Sequence, residues 1–186
     1  MILVVDACVR EDSRTKRLTK ALLSKFDDEI CEVRLEDIDF GVTSAEYLKT
    51  RDELIAKGSF DHEMFALARQ FAKADRVVIA APYWDLSFPA ALKRYIEAIN
   101  VLGITFEYTP EGFPKGLCKA ERLYYVMTAG GGFVPEEFGY GYVKTLAESF
   151  YGIKDVRLIK AVGLDIYGAD VEAIMREALK QIDSIE

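Results

Sequence analysis

Short apolar runs alternate with helical patterns along the chain, and this alternation predicts the fold. Continuous apolar runs, which are typical of buried parallel strands, occupy residues 2–5, 77–82 and 123–127. Residues 30–35 alternate as in a half-buried strand, and residues 156–164 are interpreted as the fifth strand. Apolar residues spaced for helices lie between these strands: near 13–26, after Asp61, and over 88–102, 136–151 and 170–184. The pattern predicts a doubly wound α/β protein with a five-stranded parallel sheet, strand order 2-1-3-4-5 and helices on both faces.

Two segments interrupt the alternation. Residues 44–57 are charged and only weakly helical, as in an insertion that lies on the surface. Residues 104–112 alternate and then turn, which predicts a hairpin or an extended excursion. No repeat or linker divides the 186 residues, so we expect one domain.

Composition and charge argue against several classes of protein: nucleic-acid binders, membrane-spanning proteins, and disulfide-rich or metal-binding proteins. The chain has 31 acidic and 24 basic residues, a net charge of −7, so a nucleic-acid partner is not expected. The longest apolar run, residues 77–84, is far too short for a membrane span, and residues 1–6 are interpreted as a first strand rather than a signal peptide. Three widely spaced cysteines fit neither a disulfide framework nor a metal site, which favours a cytoplasmic location and no bound metal.

Ligands of doubly wound sheets bind beyond the carboxyl ends of the strands. Three loops are expected to meet there: the first loop (residues 7–15), the second loop (82–87) and the third loop (128–133). The first loop places two hydroxyls and several bases where a helix begins, with Asp12 or Ser13 as its N-cap. Free N–H groups, hydroxyls and arginines suit a phosphate. An ordinary N-cap beside a solvated basic face explains the same residues.

The second and third loops suit a flat heterocycle. Tyr83 and Trp84 follow a buried strand, where aromatic rings can cover the face of a ligand, although they also serve simply to cap the core. Three consecutive glycines, residues 130–132, permit close backbone approach to a ligand, although a flexible turn has the same composition.

These loops resemble those of the flavodoxin-fold NAD(P)H:quinone oxidoreductase family, which includes the FMN-dependent NADH azoreductases. The similarity is strongest in Ala-Pro-Tyr-Trp-Asp-Leu-Ser-Phe-Pro (81–89), in the Leu-Lys-Arg-Tyr helix that follows, and in Gly-Ile-Thr-Phe-Glu-Tyr (103–108) with Gly116-Leu117. The resemblance implies a single flavodoxin-like FMN-binding domain over residues 1–186, in which the flavin and no side chain does the chemistry.

Carried over by position, the resemblance implies a set of FMN-binding residues. The phosphate would be held by Ser13, Arg14 and Thr15 with help from Cys8 or Arg10. The ring would be lined by Pro82, Tyr83, Trp84, Asp85 and Leu86, and its pyrimidine edge would meet Thr128, Ala129, Gly130, Gly131 and Gly132. A substrate pocket is expected from Phe106, Phe133, Phe138 and Tyr140.

The sequence departs from the family pattern at a few positions. Asp85 stands where azoreductases usually have asparagine, and Ala129 where serine is common. The Asp85 carboxylate is expected to accept a bond from flavin N3–H, or else to turn to solvent or cap a helix that begins at Ser87. The single histidine, His62, lies outside the region where quinone reductases place one near the flavin.

The resemblance implies an NAD(P)H oxidoreductase with ping-pong kinetics. NADH or NADPH would give a hydride to the flavin and leave, and a quinone, azo or nitroaromatic acceptor would then receive two electrons. Family members carry such pockets at a homodimer interface, so a homodimer is expected. The alternative is a flavodoxin-type electron carrier, which has the same fold and cofactor without a small-molecule substrate of its own.

Overall fold

A computed structural model describes residues 1–185 of the chain. The strands in this range are β1 Ile2–Asp6, β2 Ile30–Arg34, β3 Arg76–Ala80, β4 Phe106–Tyr108, β5 Pro114–Gly116, β6 Arg122–Ala129 and β7 Asp155–Val162. The α-helices are α1 Arg14–Leu23, α2 Ala45–Ala56, α3 Ala66–Lys73, α4 Ala90–Ile99, α5 Tyr140–Leu146 and α6 Val171–Asp183. None of these helices has both the length and the apolar composition needed to cross a bilayer.

The main sheet of the described range has the order β2-β1-β3-β6-β7, and every neighbouring pair is parallel. This confirms the predicted fold class and strand order. The central strands read as continuous apolar runs because both faces of the sheet are covered, and all five residues of β1 are buried. The register aligns Asp6 with Ala80 and Ala80 with Val126, so these strands end at one common edge.

Alternate residues of each strand enter two separate cores. Leu3, Val5 and Ile79 point to the face covered by α3, α4 and α5. Ile2, Val4 and Val78 point to the opposite face, where α1 and α6 pack. Because α1 follows β1 and begins at the carboxyl edge of the sheet, its N-terminus lies beside the loops after β3 and β6.

Several predicted boundaries are wrong for local reasons. Helix α5 begins at Tyr140 and not at residue 136, because the segment before it contains Pro135 and Gly139. It continues as a π-helical turn, Ala147–Tyr151, and ends at Gly152, whose φ is +79°. The cap predicted at Asp61 is instead His62, whose ring accepts the Met64 N–H at 3.2 Å before a short 3₁₀ turn that leads into α3.

The two interrupting segments have the predicted character. Helix α2 lies on the surface and has no fully buried residue within the described chain. β4 and β5 form the expected hairpin, which packs on the π-helical turn. Gly116 lies so close to the Tyr151 and Gly152 backbone that a Cβ would overlap it. The hairpin is thereby fastened to the end of α5.

Candidate functional site

A cleft of about 360 Å³ opens at the carboxyl edge of the sheet. This volume falls in the range of small-molecule sites, roughly 300–1,000 Å³. The cleft is lined by Cys8, Val9, Arg10, Asp12, Ser13, Arg14, Thr15, Pro82, Tyr83, Trp84, Thr128, Ala129, Gly130, Leu164 and Asp165. The three loops predicted to meet therefore do meet, and a fourth loop (residues 163–170), between β7 and α6, joins them.

Backbone hydrogen bonds continue past the ends of the strands and fix the floor of the cleft. The Ala7 N–H donates to the Ala80 carbonyl at 2.8 Å, and the Ala81 N–H donates to the Val126 carbonyl at 3.0 Å. One step further, the Tyr83 N–H donates to the Thr128 carbonyl at 2.9 Å. The loops consequently begin from fixed positions.

The basic end of the cleft is built on the N-terminus of α1. Ser13 is the N-cap, and its Oγ accepts the Lys16 N–H at 3.3 Å, which confirms one of the two predicted caps. The first N–H groups of a helix lack partners within the helix, and their dipoles favour an anion. Arg10 and Arg14 lie in the same lining and add two positive charges.

A buried acid shapes the first loop, and sequence reasoning missed it. Asp6 is 4% exposed; its Oδ1 accepts the Cys8 N–H at 2.8 Å, and its Oδ2 lies 3.2 Å from the Lys16 Nζ. A buried carboxylate requires such partners. Asp6 therefore turns the chain back after β1 and ties the start of the loop to the first turn of α1.

Two predicted phosphate residues form the floor of this end rather than its mouth. Cys8 is buried, and burial raises the pKa of its thiol to about 12, so the sulfur remains protonated at neutral pH. Its Sγ donates to the Ala80 carbonyl at 3.7 Å. Thr15 is also buried, and its hydroxyl shares a 2.7 Å hydrogen bond with the Thr128 hydroxyl. That bond joins the first loop to the third.

The aromatic end contains a strained turn. Trp84 and Ser87 exchange two backbone hydrogen bonds, of 3.0 and 2.8 Å, around Asp85 and Leu86, whose φ angles are +49° and +66°. Asparagine and aspartate tolerate this left-handed region, whereas leucine adopts it at a cost of roughly 1–2 kcal/mol. Asp85 thus occupies a position that suits the family asparagine equally well.

The helix-capping role considered for Asp85 is wrong. Helix α4 begins at Ala90 with Pro89 as its N-cap, and no side chain of the described residues caps it. The Asp85 carboxylate is exposed, and its bond to flavin N3–H stays a prediction. Asp85 and Leu86 lie on the rim outside the lining residues, as do Gly131 and Gly132 among the described glycines.

The residues predicted for a substrate pocket separate into two groups. Phe133 and Phe138 are 78% and 57% exposed, and they flank a loop that is tied to the second loop. The ties are hydrogen bonds from the Tyr83 hydroxyl to the Pro135 carbonyl, 2.9 Å, and from the Ser87 hydroxyl to the Phe138 carbonyl, 2.7 Å.

The other two predicted substrate residues have structural partners. The Tyr140 hydroxyl donates to the Val156 carbonyl at 3.0 Å, and its ring packs on Tyr125. Phe106 is buried in the hairpin, with its ring 5.1 Å from that of Phe150. The structure therefore places Phe106 and Tyr140 in packing positions outside the lining residues of the cleft.

Sequence reasoning did not find the contribution of the fourth loop. Asp165 lies beside Arg14, and its carboxylate covers Gly130 so closely that a Cβ there would overlap it. The predicted fifth strand extends to residue 164, whereas β7 ends at Val162, so the start of this loop was assigned to the strand. The available signal was topological, because β7 is the parallel neighbour of β6 and its following loop must reach the same edge.

Comparisons with known proteins give matches over the whole chain. The family model Flavodoxin_2, described as having a flavodoxin-like fold, matches residues 1–185. FMN-dependent NADH:quinone oxidoreductase 2 of Clostridium acetobutylicum is 38% identical over 179 residues, which cover 91% of this chain and 88% of the relative. The FMN-dependent NADH:quinone oxidoreductase of Coprothermobacter proteolyticus is 36% identical over 185 residues, which cover 94% of this chain and 91% of the relative. The crystal structure of azoreductase from Bacillus anthracis str. Sterne superposes with a TM-score of 0.83 at 25% sequence identity, and the match covers 97% of this chain and 95% of the azoreductase chain.

The strain in the 84–87 turn gives a stability prediction. Leu86→Gly is expected to raise the free energy of unfolding by about 0.5–1 kcal/mol, because relief of the left-handed leucine outweighs the added backbone entropy. Leu86→Val is expected to lower it by about 1 kcal/mol, because a β-branched residue fits this region worse. Urea denaturation measures both changes.

Leu48 provides the matched control, because it has nearly the same exposure, 44% against 45%, and lies within α2. Leu48→Gly should lower the free energy of unfolding by about 1 kcal/mol, as glycine does in a helix. An equal loss for Leu86→Gly would contradict the strain interpretation.

Proposed function

Because the chain belongs to the Flavodoxin_2 family, together with curated FMN-dependent NADH:quinone oxidoreductases, we propose that it reduces quinones and azo compounds with NADH through bound FMN. It is an oxidoreductase of the flavoprotein class. The observation that carries the proposal is the two-ended cleft, basic at the N-terminus of α1 and aromatic at the second loop.

The donor set of the cleft fits FMN. Ser13, Arg10 and Arg14 with the free N–H groups of α1 suit the phosphate. Tyr83 and Trp84 supply apolar surface for a flat ring. Backbone groups of the third loop suit the polar edge of the ring, since nothing within 4 Å would meet a Cβ at Gly131 and the space beside it is open.

When bound, FMN supplies the hydride and two-electron chemistry. The chain's own residues bind the phosphate, orient the ring and shield one side of it from water. A side-chain nucleophile is not required, and the Cys8 thiol is held protonated by its burial. We further propose that NADH and the acceptor, nitroaromatics included, occupy the same open side of the cleft in turn, which is a ping-pong mechanism.

Purified protein tests the proposal directly. Bound flavin should give visible absorption bands near ~370 and ~450 nm, characteristic of that cofactor. NADH oxidation should require menadione or an azo dye. Double-reciprocal plots of the initial rate against NADH concentration should be parallel at several fixed acceptor concentrations. A flavin spectrum without turnover would instead identify an electron carrier, and a colourless protein that takes up no FMN would contradict the proposal.

Ser13 provides a test of the phosphate end. Ser13→Ala should weaken FMN binding by roughly 10- to 150-fold, because it removes a hydrogen bond to a charged group. It should also lower the free energy of unfolding by about 1 kcal/mol through loss of the helix cap. Quenching of flavin fluorescence measures the first effect, and urea denaturation measures the second.

Ser44 is the matched control. It caps α2 in the same manner, with its Oγ accepting the Tyr47 N–H at 3.1 Å, and it is not a lining residue of the cleft. Ser44→Ala should lose similar stability and keep the FMN affinity of the parent. Equal FMN affinities for the two variants would remove Ser13 from the phosphate site.

The rim of the cleft supports the proposal of a homodimer. Exposed apolar side chains gather on the loops at this edge of the sheet: Trp84, Leu86, Phe133, Phe138, Ile166 and Tyr167. Contiguous exposed apolar surface is typical of interaction sites. A second copy of the chain that covers this rim would shield the flavin from water and complete a pocket for the acceptor.

Phe133→Glu is therefore expected to shift the protein from dimer to monomer at micromolar concentration, because it buries a charge in an apolar contact. Analytical ultracentrifugation measures the mass. Ile30→Glu is the control, since Ile30 is 47% exposed at the opposite end of the sheet. A monomeric parent protein would rule out the dimer.

A further inference from the structure

The charge of the cleft is unusual for an anion site. Its lining contains two arginines, Arg10 and Arg14, and two aspartates, Asp12 and Asp165, among the described residues. The formal charges of these four lining residues cancel. A second acid beside the arginines opposes the binding of a dianion, so the position of Asp165 calls for a physical explanation.

Asp165 engages Arg14 across the cleft. The Arg14 Nη1 donates to the Asp165 Oδ1 at 2.8 Å, which joins the first turn of α1 to the fourth loop. The other carboxylate oxygen lies over the Cα of Gly130. The ion pair therefore bridges the basic end of the cleft and the loop that faces the ring.

The backbone that carries Asp165 is fixed. Its own N–H donates to the Gly130 carbonyl at 2.9 Å, and the preceding Leu164 N–H donates to the Ala129 carbonyl at 3.2 Å. The side chain of Arg14, by contrast, is long and has several rotatable bonds. When the pair opens, we expect Arg14 to move and Asp165 to stay.

The pair contributes little to stability. The two side chains are 41% and 67% exposed, and exposed ion pairs contribute about 0–1 kcal/mol. Arg17 and Glu172 form a second pair, between α1 and α6, with two 2.9 Å hydrogen bonds, outside the lining of the cleft. The fold therefore keeps a tie between α1 and α6 without Asp165.

We propose that Asp165 is an internal competitor for the flavin phosphate. In the free protein Asp165 holds Arg14, and the phosphate must displace this carboxylate to bind the guanidinium. Asp165 thereby lowers the affinity for the phosphorylated ligand and has little effect on the ring. This role rests on the proposed function, and it adds an affinity-setting residue that is separate from those that hold the cofactor.

Asp165→Asn keeps the shape of the side chain and removes its charge. It should tighten FMN binding by about three- to tenfold, because it frees Arg14 and removes repulsion of the phosphate. Riboflavin, which lacks the phosphate, should bind the variant and the parent equally. The gain for FMN should shrink in 0.5 M salt, since screening acts on exposed charges. Flavin fluorescence titrations measure all three results.

Glu172→Gln is the matched control. It removes one acid and opens a neighbouring exposed ion pair of α1, to α6 instead of the fourth loop, so it changes net charge equally. Its FMN affinity should equal that of the parent. An equal gain for Glu172→Gln would show that net charge alone is responsible and would overturn the proposal.

A double-mutant cycle tests the route through Arg14. In an Arg14→Gln background, Asp165→Asn should retain less than about half of its effect on FMN affinity, because the competition is gone. A full effect in that background would overturn the proposal, as would weaker FMN binding by Asp165→Asn. Weaker binding would mean that Asp165 positions Arg14 for the phosphate.

Orthophosphate separates this inference from the proposed function. Even if the protein takes up no flavin, orthophosphate alone should raise the melting temperature of Asp165→Asn more than that of the parent, because binding to the folded state stabilises it. Equal shifts for the two proteins would overturn the competition. Absence of flavin binding by the parent would overturn only the proposed function.

Discussion

The parallel pairing of β1, β3, β6 and β7 is the constraint on which the site depends. Because the register aligns their carboxyl ends, loops far apart in sequence must start side by side. The hydrogen bonds from Ala7, Ala81 and Tyr83 extend this order one or two residues past the strands. The positions of the basic end and the aromatic end of the cleft are therefore set by the sheet and do not depend on which side chains line the cleft.

That rigidity allows the loops to hold features that would be costly elsewhere. Asp6 keeps a charge in a buried position because the Cys8 N–H and the Lys16 ammonium satisfy it. The left-handed Leu86 persists because backbone bonds between Trp84 and Ser87 close the turn around it. Strained backbone and buried charge often cluster at functional sites, where a surrounding structure over-determines them. Here both lie next to the cleft and both rest on strand ends.

The parts of the molecule that follow from periodicity could be predicted from the sequence, and the parts set by tertiary neighbours could not. The strands, the surface position of 44–57 and the hairpin were predicted correctly, because apolar runs and turns are local signals, and the strand order followed from the doubly wound fold class that these elements indicate. Asp165 was missed because the predicted fifth strand extends to residue 164 and the loop after it was not placed at the cleft, although the predicted strand order puts that strand beside the fourth. Phe106 and Tyr140 show the reverse problem, since an aromatic residue that packs and one that lines a pocket look alike in a sequence.

The cleft and its rim have different physical origins, and under the proposed function this difference would separate cofactor binding from acceptor choice. Helix α1 packs in one of the two cores, and the strand ends and the glycine loop are joined to the sheet by backbone hydrogen bonds. Substitutions there are therefore expected to lower the stability of the fold as well as the proposed affinity for the cofactor. Phe133 and Phe138 are exposed on a loop that is tied to the second loop through Tyr83 and Ser87 and to β7 through the Glu136–Lys160 ion pair. Under the proposed function, substitutions on that loop would alter shape and polarity beside the ring, while the sheet and the basic end of the cleft stay unchanged. The sheet thus fixes the basic end and the second loop, and the exposed side chains of the rim are the part of the proposed site that can change without disturbing the core.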